Sequence, residues 1–221
     1  MKKGLTEIVF ILDRSGSMSG LEADTIGGFN STLEKQKKLE GEAVISTILF
    51  DNNFEVLHNR VPLVEVQKMT KEDYFVRGST ALLDAIGRSI IKIGNIQKNT
   101  PEDYQAEKVL FVIITDGMEN ASREYNYETI KSMVEKQKEK YAWEFIFLGA
   151  NIDAVGTAGR IGIGGNRASN YHADRRGVRY NYQSASSAIT QLRKECKIDD
   201  NWSQEVEEDY QKRNAKEKGE K

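Results

Sequence analysis

Four short apolar runs constrain this chain most: Ile8 to Leu12, Ala43 to Phe50, Val109 to Ile114 and Trp143 to Leu148. They are rich in Ile, Val and Phe and almost free of charge, as strands are when helices cover both faces of a sheet. Helix-period stretches separate and follow them, at Leu21 to Leu39, Ala81 to Ile93, Tyr127 to Lys140 and Tyr182 to Lys194. Within the second, Leu82, Leu83, Ile86, Ile90 and Ile93 recur at the spacing of one helix face. Strands alternating with helices predict an α/β fold: a doubly wound, Rossmann-like, mostly parallel sheet with helices on both faces.

One pair breaks the alternation. Phe50 is followed by Asp51-Asn52-Asn53 and then by a second β-like run, Phe54 to Val61. Asp and Asn tolerate left-handed turn conformations, so this pair is expected to form an antiparallel hairpin at one edge. A weaker run, Ala168 to His172, predicts a sixth strand. The domain is expected to span residues 1–198, with a charged extension over 199–221. There Trp202, Val206 and Tyr210 recur at i, i+4 and i+8, which predicts a short helix docked on the domain. Asn214 to Lys221 are expected to be disordered.

Composition narrows the function classes. With 38% hydrophobic and 30% charged residues the chain is globular, and a net charge of -2 gives no sign of nucleic acid or anionic membrane as a partner. Cys196 is the only cysteine, which excludes an intramolecular disulfide and a Cys-based zinc site and fits a reducing compartment. Glu7 interrupts the N-terminal apolar run, and Asp13-Arg14 stands where a signal-peptide cleavage site belongs. No run approaches the roughly 20 apolar residues that span a bilayer. A soluble, cytoplasmic protein is the expectation.

The chemistry concentrates at three separated segments. The first strand ends in Asp13-Arg14-Ser15-Gly16-Ser17, the third apolar run ends in Thr115-Asp116-Gly117, and Gly78-Ser79-Thr80 opens a helix. Open α/β sheets collect ligands at the carboxyl ends of strands where the winding reverses. If the first strand and the Val109 strand are neighbours there, Asp13 and Asp116 converge, with Ser15, Ser17 and Thr80 around them. Two carboxylates, three hydroxyls and water form an all-oxygen shell of low charge. That shell suits Mg²⁺ or Mn²⁺, whereas Ca²⁺ usually takes more carboxylates in a larger cage.

At these positions the sequence resembles the von Willebrand factor A domains. Asp13, Ser15 and Ser17 as D-x-S-x-S, the later Thr80, and Asp116 in T-D-G look like their metal-ion-dependent adhesion site, intact at all five positions. The resemblance covers roughly Leu5 to Lys194 and is nearest to the small intracellular proteins of bacteria and phages. It implies direct ligation by Ser15 and Ser17, by Thr80 when ligand is engaged, and action of Asp13 and Asp116 mostly through waters. It also implies a non-enzymatic module that binds an acidic residue of a partner protein through the ion. Proteins of that type often work beside AAA+ ATPases or in stress- and phage-related gene sets.

Single residues carry weaker expectations. Asp51 is expected in the hairpin turn, Asp84 either near the metal or capping, and Glu119 and Asn120 near the rim. Arg77 places a cation beside Gly78, and Arg175 and Arg176 are expected to steer an acidic ligand toward the site. His58, His172 and Trp143 are expected to pack, and Gly162-Ile163-Gly164-Gly165 to form a turn. Two alternatives stay open: a metal-dependent phosphohydrolase with Asp13 as nucleophile, and a structural phage- or stress-associated component. Against the hydrolase, Ser15 stands where a second carboxylate would be, and Ser15-Gly16-Ser17 is not a nucleophile elbow.

Overall fold

The computed structural model describes residues 1–219, with side chains through Lys216. Six strands form one sheet: β1 (Lys2–Asp13), β2 (Ala43–Phe50), β3 (Phe54–Pro62), β4 (Ala106–Thr115), β5 (Glu144–Ala150) and β6 (Ala168–Tyr171), in the order β3-β2-β1-β4-β5-β6. All neighbours are parallel except the β2–β3 hairpin, which turns through Asp51-Asn52-Asn53 at one edge. The six-stranded, mostly parallel sheet with one antiparallel edge strand is the expected one.

Alternation along the strands sends side chains to opposite faces, and both faces are buried. Ile8, Phe10, Leu12, Leu110, Val112 and Ile114 meet α1 (Glu22–Lys37) and α5 (Arg175–Glu195). Val9, Ile11, Val109, Phe111 and Ile113 meet α2 (Leu82–Asn99), α3 (Tyr127–Tyr141) and α4 (Ala154–Arg160). Trp143 packs on this second face, its ring stacked 5.5 Å from Phe111. His58 is buried against Phe29 and within 3.0 Å of the Thr47 hydroxyl, and Gly162 turns the chain at φ 82°.

The structure corrects three element boundaries and adds one helix. α2 continues to Asn99, two turns beyond Ile93, although its last residues are polar. α5 starts at Arg175 rather than Tyr182, because the Asp174 side chain accepts from Gly177 N at 2.8 Å and caps the first turn. The charged Arg175-Arg176-Gly177 stretch hides this turn from a periodicity reading. α4 is an additional short helix whose buried Ala154, Ala158 and Ile161 recur at i, i+4 and i+7, and Asp153 caps it by accepting from Gly156 N. Finally, Asn214 to Gly219 are helical rather than disordered: α6 (Gln204–Gly219) extends from a docked first half, aided by the Glu208–Lys212 pair. Residues 220–221 of that expected tail lie outside the described residues.

The turn from β6 into α5 is tight. A Cβ built on Gly177 would lie 1.9 Å from the carbonyl oxygen of His172, with two more backbone atoms of His172 within 2.9 Å. Backbone cannot swing aside as a side chain can, so Gly177→Ala is expected to destabilise the fold by about 1–3 kcal/mol or more. Gly27, in α1, faces open space, so Gly27→Ala is expected to stabilise by about 0.5–1 kcal/mol. Urea denaturation of the two variants checks this; equal midpoints would mean that the β6–α5 turn relaxes freely.

Candidate metal centre

β1 and β4 lie side by side in parallel, with Leu12 opposite Ile114, at the point where the winding reverses. Their ends bring Asp13 and Asp116 together, each about 1% exposed. Beyond β1 the chain makes a short 3-10 turn, Gly16–Met18, which points two serines at each other: Ser15 Oγ and Ser17 Oγ are 3.0 Å apart. Thr80 Oγ1 donates to Ser15 Oγ at 3.0 Å, so all three predicted hydroxyls form one cluster. Gly117 closes one side of it; a Cβ there would lie 3.0 Å from Ser17 Oγ and 3.2 Å from Thr80 Oγ1. The five residues proposed from the sequence thus occupy one place.

Thr80 arrives by a long route. The segment after β3 crosses α1, where Asn30 and Met69 exchange two hydrogen bonds at 2.9 Å. It then pairs with the β1 loop through Arg77 N to Arg14 O at 2.9 Å and Gly16 N to Gly78 O at 3.1 Å. Gly78 sits at φ 69°, and a Cβ there would meet Asn52 Oδ1 at 2.0 Å, so this position requires glycine. Beneath the crossing, fully buried Arg14 donates to Asp51 at 3.0 Å and to Glu55 at 2.6 Å, while Arg77 donates to Asp51 at 2.8 Å. Asp51 is therefore more than a turn residue. Burial opposes its ionisation, but the Arg77 guanidinium, the Asn53 amides and Arg14 outweigh this and hold its carboxyl below the usual range. Arg77 is correspondingly committed to Asp51 and Glu55 rather than free as a rim cation.

The acidic residues near the rim have structural partners. Glu119 accepts from Leu83 N, Ala121 N, Ser122 N and the Ser122 hydroxyl, which ties the loop after β4 to the start of α2. Asn120 Oδ1 accepts from Thr80 N at 2.9 Å. Asp84 accepts from the backbone N–H groups of Arg123, Glu124 and Tyr125, so it fixes that loop. Arg175 and Arg176 stand at the head of a groove between α1 and α5; Arg176 is paired with Asp209 of α6 at 2.7 Å and is not free to steer a ligand.

Two site residues were missed in the sequence. Thr115 Oγ1 donates to Asp13 Oδ2 at 2.6 Å, and Ser15 N donates to Asp13 Oδ1 at 2.7 Å, so both oxygens of Asp13 are occupied. Asn151, just past β5 in a left-handed conformation (φ 55°), donates its side-chain amide to Asp116 Oδ1. Its only sequence signal was its place after a strand end. The main chain is held from below, where the Tyr74 hydroxyl donates to Asp13 O at 2.5 Å and the Tyr171 hydroxyl to Thr115 O at 3.3 Å.

Burial raises the pKa of Asp13 despite its hydrogen bonds from Ser15 and Thr115. Burial, with a smaller contribution from the Asp13 charge, raises Asp116 from 3.8 to about 6, and the Asn151 bond only partly offsets this. Asp116 Oδ2 is buried and, among the described residues, has no hydrogen-bond partner. A raised folded pKa means that the folded state holds its proton longer than the unfolded chain. In chelator the stability of the protein is therefore expected to fall as pH rises from about 4 to about 6, and then to level off. Because metal binding requires the ionised carboxylate, Mg²⁺ is expected to raise Tm more at pH 7.5 than at pH 5. Thermal melts with Mg²⁺ and with EDTA at both pH values test this; equal increments would exclude Asp116 from the ion's ligands.

These donors fit a small hard cation. Among the described residues no three His, Cys, Asp or Glu side chains converge as a metal group, because here hydroxyls supply most of the donors. A soft-metal site is thereby disfavoured, and an oxygen shell completed by water is favoured.

No protein-family model matches the chain, and no curated protein does. Solved structures do. Proximal thread matrix protein 1 from the mussel byssus superposes with a TM-score of 0.58 at 11% identity, over 83% of this chain and 45% of that one. A von Willebrand factor type A structure from Catenulispora acidiphila gives 0.51 at 13% identity, over 83% and 42%. The fold is von Willebrand factor A-like. A further structure of the mussel protein, described as having a zinc-occupied MIDAS motif, gives 0.55 at 12% identity, over 82% and 44%. This chain thus spans less than half the length of each of these structures. Among its described residues no helix is long and apolar enough to cross a membrane.

Proposed function

We propose that this chain is a metal-dependent protein-interaction module of the small bacterial or phage type, working in the cytoplasm without catalysing a reaction. Asp13, Ser15, Ser17, Thr80 and Asp116 would hold one divalent ion, Mg²⁺ by preference, with Mn²⁺ or Ca²⁺ as substitutes. The observation that carries this reading is Asp116 Oδ2, a buried carboxylate oxygen without a hydrogen-bond partner among the described residues, at the strand ends where Ser15 bonds both the Ser17 and the Thr80 hydroxyls. An unpaired buried carboxylate is costly, and a cation is what compensates it. The zinc-occupied MIDAS motif of the mussel protein, which shares this fold, supports a divalent ion as ligand.

When bound, the ion supplies a Lewis-acidic position at which a carboxylate from another protein can dock. The chain's own residues prepare that position. Asn151 fixes the orientation of Asp116 by holding Oδ1, which leaves Oδ2 for the site. Thr115 and Ser15 N hold Asp13, which in turn orders the serine loop. At 1% exposure Asp13 is badly placed as a nucleophile, which favours a binding role over phosphate-ester hydrolysis. An AAA+ ATPase offering an acidic side chain is one partner compatible with this chemistry.

The test is recovery of a partner by the immobilised chain. A partner retained in Mg²⁺, and lost both in EDTA and with Asp116→Ala, supports the reading. A partner retained equally in all three overturns it in favour of a structural component, and Mg²⁺-dependent turnover of a phosphate ester abolished by Asp13→Asn would favour an enzyme.

A further inference from the structure

A polar cleft lies away from the candidate metal centre. This cleft, of about 600 Å³, runs between α1 and α5, and four cations line it: Lys35, Arg175, Arg176 and Arg179. Among its described lining residues the one acid is Asp24, which Arg175 approaches at 3.6 Å. Arg176 is shared with Asp209 of α6, whereas among the described residues neither Arg179 nor Lys35 has a carboxylate partner; Arg179 instead lies over the Tyr180 ring at 5.1 Å. A chain of net charge -2 thus gathers uncompensated positive charge on one groove.

The distribution of that charge points to the occupant. The lining residues run from Ala23 to Lys35 along one face of α1, a length of about 18 Å at 1.5 Å per residue. Arg175, Arg176 and Arg179 stand within about one turn of α5 beside Asp24 at one end. Lys35 stands at the other end of the α1 wall, next to Gln36, which bonds Ser186 and Thr190, so the positive charge spans the groove. Gly27 leaves the wall smooth, with nothing within 4 Å of where its Cβ would be. We propose that this groove binds an extended acidic peptide segment of a protein partner, its carboxylates pairing in turn with Arg175, Arg179 and Lys35. The inference is independent of the metal reading, since it uses no residue of that site. If both hold, one partner engaging both surfaces gains avidity from two separate contacts.

The probe is a fluorescein-labelled oligoglutamate peptide, followed by fluorescence anisotropy in EDTA at low salt. The unmodified chain and Asp116→Ala are expected to bind it equally, with affinity falling as NaCl is added. The double variant Lys35→Glu/Arg179→Glu is expected to bind about tenfold more weakly (about 1.4 kcal/mol). Gly27→Glu, which places a carboxylate in open space within the groove, is expected to weaken binding as well, while Gly27→Ala retains it and reports that α1 is intact. Unchanged binding in both Glu variants would overturn the proposal, and so would complete displacement by inorganic phosphate at equal charge concentration. Loss of metal binding with the groove intact would sink only the metal reading.

Discussion

Asp116→Asn is expected to weaken Mg²⁺ binding by more than about a hundredfold, beyond what losing a supporting partner of a metal ligand costs, while the chelated protein becomes more stable rather than less. The two effects have one cause. Asp116 is 1% exposed, and burial together with the Asp13 charge lifts its pKa to about 6, so at neutral pH the folded state carries a carboxylate that it would be more stable without. Asparagine keeps the shape, leaves an oxygen for the Asn151 amide, and removes the charge. The gain is on the order of 3 kcal/mol from a shift of that size. Isothermal titration calorimetry with MgCl₂ and thermal melts in EDTA read the two quantities separately. Unaltered Mg²⁺ affinity would remove Asp116 from the site. Lost affinity together with a lower Tm in EDTA would mean that the residue is structural.

Trp202→Ala is expected to cost about 3–5 kcal/mol, the range for deleting a large buried aromatic side chain. Trp202 is 2% exposed, shares a core cluster with Ile198, Val206 and Leu192, and donates its indole N–H to Asn166 O at 2.9 Å. The segment after α5 therefore contributes to the same core as the sheet. Beyond it, Arg213 pairs with Asp174, the cap of α5, and the Tyr210 ring lies 4.7 Å from His172 at the end of β6. For a chain of this size the expected fall in Tm is about 6–20 °C. A Tm within the error of the unmodified chain, with only the α6 amides losing hydrogen-exchange protection, would show that the extension merely rests on a self-sufficient domain.

The alternating strands were legible because covering a parallel sheet on both faces leaves local marks: Ile8 to Leu12 and Val109 to Ile114 are apolar at every position, and each turns out to be fully buried. The hairpin was legible from Asp51-Asn52-Asn53 for a similarly local reason. Helix starts fared worse where a capping aspartate fixed a first turn of small or charged residues, as at Asp153 and Asp174. Of the site, Asp13, Ser15, Ser17, Thr80 and Asp116 could be named in advance because strand ends and small oxygen-bearing residues mark them. Thr115 and Asn151 could not, since each acts only by touching a residue distant in sequence.

By itself, then, the sequence determined the layering of helices on a parallel sheet and which oxygen-bearing residues gather at the strand ends, both of which follow from periodicity and residue chemistry within a few positions. Only the tertiary structure decided which polar groups are spent and which are free. It committed Glu119, Asp84 and Arg77 to holding loops, turned Arg175 and Arg176 toward a groove of their own, and left Asp116 Oδ2 buried and unpaired. The reason is physical: whether a charge is compensated depends on neighbours brought in from other segments, and no local pattern records them.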